Sequence, residues 1–307
     1  MHIPVLLSEV LASLSPSSGD RILDVTLGLG GHAEAMLKAT GSSGVLVGID
    51  ADLQNLERAR TRLPSGSTVL VHANFRDVPA CLPPEQRVFD VILADLGISS
   101  PHLDDASRGF SFRFDAPLDM RLDQSSGQPA SIVLSSLDRA SLIRIFRDYG
   151  EVQRSHRLVD EIISRRKTDP VRTTFALSDA IRKAYGTVAG GDILPQVFQA
   201  LRIAVNGELD ALDTFLREAP RLLGPGGRLG IISFHSLEDR MVKTAFRDLT
   251  TAPKDPLTGQ DLHPPEFELL TKKGIAPSDG ETASNPRARS ARLRAIRRLP
   301  AYTSLRS

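Results

Sequence analysis

The chain has 307 residues, 24% charged and 41% apolar, with a net charge of +1, a composition that supports a full globular core and excludes a disordered or fibrous chain. Its single cysteine, Cys81, excludes an internal disulfide and a zinc site built on paired thiols, so no metal centre is expected. No apolar run approaches the roughly 20 residues of a membrane span, and the opening MHIPVLLSEVL has neither a cationic segment nor a small-residue cleavage site, so the expectation is a cytoplasmic protein.

Residues 3–14, IPVLLSEVLASL, space Val5, Leu6, Val10, Leu11 and Leu14 as an amphipathic helix does. Residues 20–33, DRILDVTLGLGGHA, then run a strand into a glycine turn and a helix. Ile22, Leu23 and Val25 form the short apolar run of a strand covered on both faces, with Asp24 near its carboxyl end. Gly28, Gly30 and Gly31 permit positive φ and close approach of a ligand to the backbone, while the helix opening near His32 aims its free N–H groups there. Gly28, Gly30 and Ala33 also satisfy the G-x-G-x-x-A dinucleotide pattern, and a purely structural tight turn fits the same residues.

A helix over residues 33–39 leads to a second buried strand, residues 44–50, that ends in Asp50, 26 residues after Asp24. An acid at that tip is where an open α/β nucleotide fold meets ribose, because two carboxylate oxygens match two vicinal hydroxyls; a helix N-terminal carboxylate is the competing reading. Residues 53–63 are helical, and residues 68–75 read as a third strand with Phe75 at its end, placed to stack on a base or to fill the core. Residues 88–94 form a fourth strand tipped by Asp95. Strands separated by helices give a parallel sheet with its ligand crevice at the carboxyl ends, and Asp24, Asp50, Phe75 and Asp95 all fall on that edge.

The rhythm then stops. Residues 96–126 read as loop, with Phe110, Phe112 and Phe114 alternating against Arg113, either as a lid over the ligand or as a hairpin core. From Ile132 to about Tyr185 the apolar spacing is helical, so a helical subdomain interrupts the sheet. After Pro195 the pattern predicts one long helix over residues 197–223, a Gly-Pro-Gly-Gly turn, a fifth strand over residues 228–234, and a capped helix from Ser236 with acids in its first turn. Strand five beside strand four sets His235 and Ser236 near Asp95. Residues 250–286 read as loop around a short strand, residues 267–271. Ala291, Leu293 and Ala295 alternating with Arg292 and Arg294 predict an edge strand with an arginine face. Charge is uneven: residues 282–307 hold seven arginines and no acid, and residues 138–183 hold eleven Lys or Arg against seven Asp or Glu, local surpluses that suit a polyanion.

Acids at Asp24 and Asp95 beside the glycine turn favour a ligand with cationic parts over a pyrophosphate. HIPVLLSEVL, DVTLGLGGHA, DLGISSPHLDDASRGFSFRFDAPLDMRLD, RIAVNGELDAL, GPGGRLGIISFHSLEDRMVK and NPRARSARLRAIRR, in this order, resemble the RsmH (MraW) family of small-subunit ribosomal RNA cytosine-N4 methyltransferases over almost the whole chain. Ala33, Val25 and Leu122 are mild departures from the family pattern. The resemblance implies a Rossmann-like class I S-adenosylmethionine-dependent methyltransferase with a mostly parallel seven-stranded sheet. Its two methyltransferase segments, residues 1–103 and 196–307, would flank a helical substrate-recognition insertion, residues 104–195. It implies S-adenosyl-L-methionine as cofactor and a cytidine in the decoding region of 16S ribosomal RNA, within the small subunit or its precursor, as target.

Carried to matching positions, the resemblance implies that Gly30, Gly31 and His32 hold the methionyl end, Asp50 the ribose, Phe75 the adenine region, and Asp95 and His102 the rest of the pocket. Cytosine N4 is a poor nucleophile whose lone pair is delocalised, so the site must align it and accept hydrogen bonds from its N–H groups. Asp95, or a neighbouring carbonyl, is the expected acceptor, and Phe234 or His235 the expected stacking partner of the flipped base. Arg292, Arg294 and Arg297, with the basic helical insertion, are the expected RNA contacts. Two other classes remain at this point: a nicotinamide-dependent oxidoreductase on the same sheet, and a non-catalytic RNA-binding ribosome assembly factor.

Overall fold

The computed structural model describes residues 4–83 and 87–300, and for residues 188–192 the backbone alone. In chain order the chain forms α1 (Leu7–Leu14), β1 (Arg21–Asp24), α2 (Gly31–Thr40), β2 (Val45–Asp50), α3 (Leu53–Arg62), β3 (Thr68–His72) and β4 (Phe89–Asp95). It then runs through α4 (Ser100–Asp104), α5 (Ala130–Ser136), α6 (Arg139–Arg144), α7 (Ser155–Arg165), α8 (Thr174–Tyr185) and α9 (Thr187–Asn206). It closes with α10 (Glu208–Glu218), β5 (Leu223–Ser233), α11 (Ser236–Leu249), β6 (Phe267–Leu269), α12 (Asp279–Ser284) and β7 (Arg292–Arg298). No helix among the described residues is long and apolar enough to cross a membrane.

Two compact units result, one formed by Met1–Gly97 and Asp210–Ser307, the other by Ile98–Leu209. In the first, seven strands make one sheet in the order β3-β2-β1-β4-β5-β7-β6. The first five are parallel, as the repeated strand-helix pattern predicts, and β7 pairs antiparallel with both β5 and β6. The strands are apolar on both faces because helices cover both. Ile22, Leu46, Leu93 and Ile232 pack in one layer with Val10, Leu14, Met36 and Leu56 of α1 to α3. Leu23, Ile49, Ala94 and Ile231 pack in the other with Leu212 and Phe215 of α10 and Val242 and Phe246 of α11.

Several expected elements shift. β3 ends at His72, and Phe75 opens a short 3-10 turn, Phe75–Asp77, capped by the Asn74 side chain on the Arg76 N–H at 3.0 Å. β5 begins five residues early, because Leu223 already pairs with Phe89 and the glycine-proline turn is absorbed as a register shift before Arg228 pairs with Val91. The single helix expected over residues 197–223 is two. α9 starts at Thr187 and runs through Pro195, then stops at Gly207, which adopts φ 58° where a side chain is disfavoured. A proline removes one hydrogen bond without ending a helix when packing holds both sides, as buried Leu194 and Val197 do here. The two units divide at residues 97/98 and 209/210, so residues 98–103 and 196–209 group with the helical unit. β7 is not an edge strand: β6 lies outside it.

In the helical unit, α5 to α9 enclose Leu134, Leu142, Phe146, Leu158, Leu177 and Leu201. Phe110 joins that core, while Phe112 and Phe114 are 38% and 55% exposed. Phe112 meets Phe198 edge-on at 5.3 Å.

Candidate active site

The carboxyl ends of β2, β1 and β4 are neighbours, since Asp24 lies opposite Gly48 on one side and Leu93 on the other. Each of the three strands ends in an aspartate, Asp50, Asp24 and Asp95. The glycine turn follows β1. Gly28 and Gly30 take φ 53° and 76°, a region open to glycine at little cost, and α2 then starts at Gly31. A Cβ on Gly31 would lie 2.5 Å from Cγ of Pro4. The absent side chains are therefore what lets this turn close.

Asp50 holds the turn. Its carboxylate accepts from the Gly28 N–H at 2.7 Å and the Asp52 N–H at 2.8 Å, with the Asn55 amide at 3.4 Å. Its two oxygens are the acceptors that vicinal ribose hydroxyls match. Asp24 is buried and accepts from the Thr26 N–H at 3.2 Å. Burial, partly offset by that N–H and reinforced by the charge of Asp50, pushes its pKa up to about 7.

Asp95 is fixed at the main chain, where its N–H donates to Thr26 Oγ1 at 2.5 Å. Its Oδ2 lies 3.6 Å from His32 Nδ1, and its Oδ1 is buried without a hydrogen-bond partner among the described residues. Burial, then the like charges of Asp24 and Glu238, hold this carboxyl well above the usual range. His32 is 6% exposed, and its Nε2 lies 2.9 Å from the Val5 carbonyl oxygen.

β5 pairs with β4 through Asp95 and Ile232, and the Leu96 N–H donates to the Ile232 carbonyl at 2.9 Å. Phe234 and His235 follow the end of β5. His235, rather than Ser236, caps α11: its Nδ1 accepts from the Glu238 N–H, while Glu238 Oε2 accepts from the N–H groups of Phe234 at 2.8 Å and His235 at 3.3 Å. This is a capping box in which histidine replaces the usual hydroxyl.

The MraW methylase family model matches residues 1–299. The chain belongs to the MraW methylase family. Among its relatives, the "Ribosomal RNA small subunit methyltransferase H" of Syntrophotalea carbinolica is 47% identical over 97% of this chain and 98% of that protein. The protein of the same name from Thermobifida fusca is 44% identical over 97% and 93%. The solved structure of TrmN from Thermus thermophilus aligns at a TM-score of 0.43 with 16% identity, over 96% of this chain and 48% of that one, and at that distance adds nothing to the assignment. A member of the MraW methylase family is a methyltransferase, and its cofactor is S-adenosylmethionine. The nicotinamide reading falls with this membership.

The residues present fit such a donor. A buried carboxylate oxygen without a partner, between two further acids, is costly until a ligand brings hydrogen-bond donors or positive charge. With the Gly28 and Gly30 N–H groups given to Asp50 and the Leu27 carbonyl, it is the start of α2 at Gly31 that offers N–H groups to a carboxylate. The structure brings together Gly30, Gly31, His32, Asp50 and Asp95 of the expected residues. Phe75 stands on the same edge after β3, half-buried, its ring edge-on to Phe215 at 5.7 Å. His102 belongs to the helical unit. There it is buried in α4, its Nδ1 meeting the Ser99 N–H at 3.1 Å and the Ser99 hydroxyl at 3.0 Å, with Phe110 5.2 Å from its ring.

The expected arginine face is split. Period two puts Arg292 and Arg294 on one side of β7 with buried Ile296, and Arg297 on the other with Leu293 and Ala295. Arg294 grips Asp239 through two bonds of 2.8 and 3.0 Å, and Arg297 pairs with Glu268. Arg292 donates to the Ala291 carbonyl at 2.7 Å. Thr26 and Glu238 are site residues the sequence reading missed. Glu238 was visible only as a helix cap, and its effect on Asp95 needs the β4 to β5 register.

Proposed function

We propose that this chain transfers the methyl group of S-adenosylmethionine to N4 of a cytidine in the decoding region of 16S ribosomal RNA, in the cytoplasm, on the small subunit or its precursor. One observation carries the reading: three aspartates at the tips of adjacent strands converge beside an open glycine turn, and one keeps a buried oxygen without a partner. When bound, the donor supplies a methyl group already activated by a sulfonium leaving group. What remains for the chain is alignment, worth roughly 7–11 kcal/mol in favourable cases.

In this reading Gly30, Gly31 and the start of α2 hold the amino-acid end, Asp50 the ribose and Phe75 the adenine. Asp95 accepts a hydrogen bond from N4 of the extruded base, pulling electron density toward the nucleophile, and Phe234 or His235 flanks the ring. The helical unit recognises RNA. Of Arg292, Arg294 and Arg297, Arg292 is the best placed for phosphate, because it gives up only a carbonyl, whereas Arg294 and Arg297 would each have to leave a carboxylate. The rRNA methyltransferase names of relatives covering 97% of the chain support the substrate class. Nucleoside mass spectrometry of small-subunit RNA with and without this protein tests it: N4-methylcytidine should appear only with the protein. An unchanged nucleoside profile, with the purified protein also inert on assembled subunits, would leave the assembly-factor reading in its place.

A further inference from the structure

We propose that Asp95 and His32 form a proton-accepting dyad, Asp95 taking the proton that N4 loses and His32 Nδ1 offering it a second seat, an inference that rests on the N4-methylation reading above. The geometry separates the two nitrogens of the imidazole. Nε2 lies 2.9 Å from the carbonyl oxygen of Val5, and a carbonyl only accepts, so Nε2 keeps its hydrogen in every protonation state. Nδ1, 3.6 Å from Asp95 Oδ2, is the nitrogen that gains or loses a proton. Contacts of this length between catalytic groups commonly tighten in the reacting complex.

Forming the N4–methyl bond breaks the methyl–sulfur bond, whose electron pair stays on sulfur, and leaves N4 with one proton too many. That proton passes to the Asp95 carboxylate and is shared with His32 Nδ1. The dyad goes from a net charge of −1 to neutral, matching the positive charge that disappears from the donor. Its surroundings favour this direction. The like charges of Asp24 from β1 and Glu238 from α11 act on Asp95, Asp50 from β2 acts on Asp24, and His32 from α2 lies 3.6 Å from the Asp95 carboxylate. Asp24, Glu238 and Asp50 are all acidic. A cationic ligand therefore favours the empty dyad, and loss of that cation favours the loaded one.

The test compares the wild type with His32→Gln, whose amide N–H can still reach the Val5 carbonyl while the titratable Nδ1 is gone. Calorimetry in two buffers of different ionisation enthalpy reads proton exchange on binding S-adenosylmethionine and S-adenosylhomocysteine. Near neutral pH the wild type should hold about one more proton in its product complex than in its donor complex, the difference expected of one shared site. In His32→Gln that difference should shrink by at least half. The acid limb of the single-turnover pH profile should move to lower pH, because the proton has lost its second seat, and the rate at neutral pH should fall roughly 10–100-fold. Equal proton exchange in both proteins with an unmoved acid limb, and equal loss of affinity for both ligands, would make His32 a cofactor ligand and overturn the dyad. Should His32→Gln not fold, the ring ¹⁵N resonances of wild-type His32 decide: Nδ1 must titrate at a different pH in the two complexes, and a signal constant in both rejects the proposal. Failure of the wild type to bind S-adenosylmethionine at all would strike the underlying reading instead.

Discussion

Asp24→Asn should make the protein more stable and a worse receptor for its donor, and the size of the first effect follows from the site. Asp24 is 2% exposed and titrates at about 7 in the folded chain against 3.8 for an unperturbed aspartate. A raised folded-state pKa means the native protein binds more protons than the unfolded one between those values, so the stability present below about pH 4 is lost as pH rises toward 7. A gap of about three units corresponds to about 4 kcal/mol, the cost of keeping this carboxylate ionised in the fold above pH 7. The amide is nearly isosteric, still accepts the Thr26 N–H, and carries no such cost. The variant's advantage should grow from about 2 kcal/mol at pH 5 to about 4 kcal/mol at pH 8 by the same conversion. At about 2–4 °C per kcal/mol for a domain of this size, its melting temperature at pH 8 should rise by roughly 8–16 °C. Thermal melts of both proteins across pH 5–8 read the difference, and calorimetry should show weaker S-adenosylmethionine binding by the variant. A variant no more stable than wild type at pH 8, or equally stabilised at every pH, refutes the reasoning, because then no buried ionised carboxylate is being removed.

Asp95→Ala should leave the far-ultraviolet circular dichroism unchanged and lower methyl transfer at least about 100-fold, and wild-type turnover would dismiss its role. Gly30→Ala forces a side chain into φ 76° with its Cβ 3.2 Å from Leu63 Cδ1, so it should cost roughly 1–2 kcal/mol in a thermal melt and lower donor affinity; an unmoved melt contradicts the strained turn. Arg294→Gln removes a two-bond grip on Asp239 whose partners are 14% and 28% exposed, and should cost roughly 1–3 kcal/mol. Arg297→Gln, at an exposed pair with Glu268, should cost under about 1 kcal/mol, and equal costs in denaturant unfolding would show that burial does not separate them.

The sheet was legible where physics is local. A parallel strand covered on both faces must be an unbroken apolar run, so the strands ending in Asp50 and Asp95 stood out, and their tips followed from the strand-helix alternation. Charge then favoured a sulfonium ligand over a pyrophosphate, and family membership decided between them. What failed to show depends on partners distant in sequence. Pro195 read as the boundary before a helix because proline is local punctuation, yet packing around Leu194 and Val197 carries α9 through it from Thr187 to Asn206. β7 read as an edge because β6, the three residues Phe267–Leu269, is too short to signal a pairing partner. The split of Arg292 and Arg294 from Arg297 was arithmetic in the sequence, five positions being an odd step on a strand, but their carboxylate partners Asp239 and Glu268 were not. Glu238 looked like any helix cap, and nothing near His32 announces Asp95, 63 residues on.

The same glycine turn can serve a pyrophosphate or an amino acid, since both offer anionic oxygens to backbone N–H groups; the strand tips decide between them. At an effective dielectric of about 20, a unit charge 5 Å from a carboxylate is worth about 3 kcal/mol, attractive for a cation and repulsive for a phosphate. An acid cluster of this kind therefore disfavours a pyrophosphate ligand before shape is considered. It also distinguishes donor from product, which differ by a methyl group and a positive charge. If Asp24 and Asp95 remained ionised after transfer, the product would leave behind buried like charges, and the cluster would resist giving up its cation. Uptake of one proton at Asp95 removes that obstacle, so the acidity that holds the donor need not impede the exchange of product for the next donor.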